Sequence, residues 1–198
     1  MINENQFQEF ILQHRVAVVH FSHHAKMNHD VQFPFDLNHA LATWQSETRS
    51  CCALWPGHAK HLPGSVGVIY RPNLSNVISV LNTDSGSSNH DGHEGSLGDA
   101  PSEDSLTRSL NEVHSHDYNE WRLLGAPPMG IFVADTSHIF VKKWVTPSVP
   151  KELTLAEIDP VLVCCPIILD DVVAEFSNYD IYTLGEQELV LVRGGESV

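Results

Sequence analysis

Short apolar runs, each stopped by a turn signal, recur along this chain of 198 residues. Val16 to Phe21, Cys51 to Trp55, Val66 to Tyr70, Val77 to Leu81, Trp121 to Leu124, Gly130 to Ala134 and Ile139 to Trp144 share this form. Pro56-Gly57, Arg71-Pro72 and the Pro127-Pro128 turn are among the stops. Runs this short, rich in Val and Ile, read as strands. None approaches the roughly 20 apolar residues a membrane-spanning helix requires, so no membrane association is expected.

Helical signals are fewer. Asn3 is placed to cap a helix to about Gln13, with Phe7, Phe10 and Ile11 on one face. Asp36 is placed to cap a second, along which Leu37, Ala40, Leu41 and Trp44 recur at helical spacing. Ser102 opens a third, with acids in its first turn and Leu106 and Leu110 as its apolar side. The tail reads as a short helix near Thr154, an apolar segment Val161 to Leu169 and a helix from Asp170 to Ser177. A hairpin closes it, with Ile181 to Leu184 and Glu188 to Arg193 joined at Gly185-Glu186. Many short strands with few helices predict an α+β fold of short-stranded mixed or antiparallel sheets with a few peripheral helices. One domain over 1–198 is expected, with a mobile or functional loop at 82–104 and a small C-terminal α/β appendage over 150–198.

The net charge of −14 is unevenly spread. Residues 1–80 are neutral, whereas residues 81–120 carry nine carboxylates against Arg108 alone. No basic stripe of the kind that engages duplex DNA is present. The four cysteines form two adjacent pairs, Cys51-Cys52 and Cys164-Cys165. Alternation along a strand predicts one thiol of each pair in the core and one outside. Neither pair has zinc or redox spacing, and Met1 to Gln13 lacks a basic leader, so a reducing, cytoplasmic setting is expected.

Four groups of residues bear on chemistry. His20-Phe21-Ser22 ends the first strand, and His20 and Ser22 share a face there. They offer two hydrogen-bonding groups to one ligand, or else a core histidine with a backbone partner and a turn serine. Glu120 stands at the entry to a strand between Tyr118 and Trp121. It is either a carboxylate mounted to meet a developing cation or an exposed acid before a strand. The histidines His58, His61, His90, His93, His114 and His116 offer metal-ligand spacings, but no H-E-x-x-H accompanies them, and no metal site is assigned. Asp84-Ser85-Gly86-Ser87 lacks the strand-elbow-helix setting of a nucleophilic serine. G-x-G-x-x-G and G-x-x-x-x-G-K-[ST] are both missing.

The order of these features resembles the ADP-ribosyltransferase superfamily, in its His-Tyr-Glu-like branch and most closely its small bacterial toxin-type enzymes. His20-Phe21-Ser22 is similar to the first-strand motif, and Glu120 before Trp121 to Leu124 looks like the late glutamate. The resemblance implies an ADP-ribosyltransferase-like fold with NAD as substrate and a macromolecular acceptor, protein or nucleic acid. It also implies a possible cognate antitoxin. Glu120 and His20 would be catalytic, and His20, Phe21, Ser22, Tyr70 and Arg71 would bind NAD. Tyr70, with Trp44 as substitute, would stack on nicotinamide, and Arg71 or Arg15 would meet the pyrophosphate. Tyr118 stands two residues before Glu120, where the family often carries a second acid or amide for the acceptor. That departure turns the expectation away from protein arginine. Two other classes remain open: a non-catalytic acidic module of the antitoxin or immunity type, masking a basic partner, and a metal-dependent hydrolase.

Overall fold

A computed structural model describes residues 2–21, 35–56, 62–83, 98–111, 118–145, 161–186 and 188–195. Ten strands and four helices are present among them. The strands are β1 Ala17–Phe21, β2 Arg49–Leu54, β3 Val66–Tyr70, β4 Val77–Leu81, β5 Glu120–Leu123, β6 Pro128–Val133, β7 Ile139–Val145, β8 Val161–Ile167, β9 Ile181–Leu184 and β10 Leu189–Arg193. The helices are α1 Glu4–His14, α2 Phe35–Ala42, α3 Glu103–Asn111 and α4 Leu169–Glu175. The fold is mixed α+β, as expected.

Eight strands form one sheet in the order β10-β9-β6-β3-β1-β2-β5-β4, and β7 and β8 make a separate antiparallel pair. Every neighbouring pair in the large sheet is antiparallel except β6–β9. The backbone ladder between the two central strands is short. The β1–β2 ladder runs from Ala17↔Leu54 to Val19↔Cys52. The β1–β3 ladder continues to Phe21↔Gly67, and β2–β5 continues to Arg49↔Leu123.

All four helices pack on one face. Phe7, Phe10, Leu37, Leu106, Leu110 and Val172 join Val18, Cys51, Val68, Tyr70 and Trp121 in the main core. On the other face Ala17, Val19, Phe21, Cys52, Leu54, Ile69 and Phe132 form a smaller apolar layer. Phe21 meets Phe132 edge to face, with centroids 5.7 Å apart. Because both faces are covered, the expectation that one thiol of each cysteine pair lies outside fails for Cys51 and Cys52. Each is buried, one in each layer.

Local chemistry sets the helix starts. The Asn3 side chain accepts from the Gln6 N–H, and the Gln6 side chain accepts from the Asn3 N–H, each at 3.0 Å. This reciprocal box satisfies two of the unpaired donors of α1. Ser102 and Ser105 exchange the same kind of bonds at the start of α3, at 3.1 and 2.9 Å. Asp36 is not a cap, because α2 begins one residue earlier at Phe35. The β5–β6 link turns at Gly125 (φ 73°), while Pro128 already belongs to β6. The tail expected as an appendage adds β9 and β10 to the large sheet. It also adds Val172, Phe176 and Ile181 to the main core. The expected helix near Thr154 and most of the 82–104 loop lie outside the described residues.

Candidate functional site

Glu120 is the first residue of β5 and is only 2% exposed. The reading of an exposed acid before a strand is thereby corrected: the strand starts one residue earlier than the apolar run implied. Its carboxylate lies 3.8 Å from the Nε of Arg122, two residues along the same face. Burying a carboxylate is costly unless charges or donors meet it, so such a group is rarely incidental.

The residue before it explains how it is held. The Asn119 side chain accepts from the Ala53 N–H at 2.8 Å and donates to the Ala53 carbonyl at 3.0 Å. It also donates to the Ser109 carbonyl at 2.9 Å and accepts from the Cys52 thiol at 3.3 Å. Trp121, on the other side of Glu120, donates its indole N–H to Ser109 Oγ at 3.1 Å. Sequence reasoning missed Asn119. Its partner Ala53 lies 66 positions away, and no local pattern announces such a bond.

His20 follows the last β1–β2 backbone pair. Its Nδ1 is 2.7 Å from the Ser50 carbonyl of β2. A carbonyl can only accept, so Nδ1 carries a proton and donates it to this bond. The backbone-partner reading of His20 is therefore correct, and the ring bridges β1 and β2 after their ladder ends. By register Glu120 lies in the row of Cys52 and Val19, one row from His20 and two strands away. Ideal strand spacing puts their Cα atoms about 10 Å apart. Alternation gives His20 the helix face and Glu120 the opposite face, so the sheet alone does not stack their side chains. Ser22 lies outside the described residues, as do His58, His61, Ser85, His90, His93, His114 and His116.

The remaining expected ligands are dispersed. Tyr70 is buried on the helix face and donates its hydroxyl to the Ala40 carbonyl of α2 at 3.1 Å. Burial pushes its pKa well up, opposed by the Arg49 guanidinium. Its ring is buried among the side chains of the main core. Trp44, the substitute, packs against the same core. Phe21 is buried in the opposite layer against Phe132. Arg71 is exposed, just past the end of β3. Arg15 is the left-handed C-cap of α1, with φ 52°. Among the described residues no three metal-ligating side chains gather at one point.

What the arrangement offers is a buried carboxylate on a fixed strand start. Comparison of the chain with family models, curated proteins and solved structures returns no match.

Proposed function

We propose that this chain is an NAD-dependent ADP-ribosyltransferase acting on a macromolecular acceptor, either a nucleic-acid base or a protein. The observation that carries the reading is the burial of Glu120 at the start of β5. Loss of nicotinamide from NAD leaves positive charge developing on the ribose. A carboxylate held against the ribose 2′-hydroxyl stabilises that charge, and a water-poor setting strengthens the effect. His20, turned to the other face of the sheet and bonded through Nδ1 to the Ser50 carbonyl, is left out of the proposed chemistry. Arg71, exposed and cationic, is the candidate for the pyrophosphate. Tyr70 belongs to the fold and not to the ligand.

The test is nicotinamide release from NAD by the purified protein, wild type against Glu120→Gln. Wild-type release that falls about 10²–10³-fold in the variant supports the proposal. Release that survives the substitution removes Glu120 from the chemistry. Absence of wild-type release, with no NAD-induced rise in melting temperature, overturns the transferase reading.

That last outcome favours a second reading, an acidic interaction module. One feature supports it. A groove of about 460 Å³ between α1 and the start of α3 is lined by Glu9, Glu103 and Asp104, with Ile2 and Phe10 as its apolar part. Such a surface complements a basic partner.

A further inference from the structure

We infer that Asn119 is the positioning residue for the Glu120 carboxylate. The inference rests on the transferase reading and adds to it the device that aims the acid. Asn119 is fully buried, and all four hydrogen-bonding valences of its amide are used. Its orientation is fixed by its partners, since the Ala53 N–H can only donate and the Ala53 carbonyl can only accept.

The pattern is that of a strand made from a side chain. Backbone pairing of β5 with β2 reaches Cys51↔Trp121 and goes no further. Beyond it, the Asn119 amide takes both polar groups of Ala53, as a neighbouring strand residue would. Glu120 lies between the last backbone pair and this side-chain pair. The same amide binds the Ser109 carbonyl of α3, so three elements are tied at one point. A strand end ordinarily frays, and a frayed end would let the carboxylate wander. A displacement of about 1 Å can cost about 100-fold in rate.

The amide touches no described ligand-facing surface, so its effect falls on the chemical step. A carboxylate that acts on charge developing in the transition state contributes to kcat more than to KM. Asn119→Asp keeps the shape and removes both donors. Cys52→Ala removes one of the four bonds and serves as the mild variant, so the inference stays testable if Asn119→Asp does not fold. Ser105→Ala, at the far end of α3, is the control for lost stability alone.

The experiment measures nicotinamide release against NAD concentration, well below each melting temperature, together with the NAD-induced rise in that temperature. Asn119→Asp is expected to lose about 10- to 100-fold in kcat, with KM within about threefold and the NAD-induced rise retained. Cys52→Ala is expected to lose less in kcat, again with KM held, and Ser105→Ala is expected to keep kcat. Wild-type kcat in Asn119→Asp and Cys52→Ala would overturn the inference and leave the transferase reading standing. So would kcat losses in all three that track melting temperature. Wild-type protein that releases no nicotinamide would overturn both.

Discussion

At the scale of single residues, alternation decides who is a ligand and who is core. Tyr70 ends a strand as the sequence predicts, yet its side chain falls on the helix face and bonds the Ala40 carbonyl. That partner lies 30 positions away, so the sequence near Tyr70 does not reveal it. Tyr70→Phe leaves a buried carbonyl unpaired and should cost about 1–3 kcal/mol. The same burial has a pH consequence. The folded phenol has its pKa raised above the ordinary value of 10.0, so folding favours the neutral form. Stability from Tyr70 is complete below the unfolded pKa of about 10 and is lost as pH rises towards the folded one. Melting temperature should therefore fall above about pH 10, and more steeply for wild type than for Tyr70→Phe. Equal slopes in the two proteins would refute this.

At the scale of elements, most strands and helices were legible because their signals are local. The apolar runs at Val66–Tyr70 and Val77–Leu81 match β3 and β4 residue for residue. The Asn3 cap works because its partner Gln6 is three positions away. Pairing was not legible, because it depends on register between distant strands. Hence the sequence brings His20 and Glu120 into one motif while the sheet turns them to opposite faces. Hence also both Cys51 and Cys52 are buried. The close approach of β3 to β1 at Gly67 likewise has no local mark. A Cβ on Gly67 would stand 2.5 Å from Val19 Cγ1 and 2.7 Å from the His20 carbonyl. Gly67→Ala must push β3 from β1. A loss of about 1–3 kcal/mol is expected by urea unfolding. An unchanged midpoint would show that the strands have room to spare.

At the scale of the whole molecule, the last strands are not an optional addition. Val172, Phe176 and Ile181 are buried in the main core. Losing each such side chain costs about 2–5 kcal/mol, against a total stability of about 5–15 kcal/mol for a typical domain. A chain ended after Val145 should therefore lack a cooperative thermal transition by circular dichroism. A cooperative melt of that fragment would show that residues 2–145 carry a sufficient core of their own.

The parallel join of β6 to β9 also bears on how the protein is made. β6 is complete at Val133, but its neighbour on the outer side begins only at Ile181. At about 5–20 residues per second, a ribosome needs roughly 2–10 s to supply the missing strand. Throughout that interval β6 offers an unpaired edge in an otherwise advancing sheet, and such an edge accepts any strand that arrives first. On crowded polysomes, that strand can be the β9 of a neighbouring nascent chain. The yield of correctly folded chain should thus depend on translation speed and on the spacing of ribosomes, as much as on the final stability of the fold.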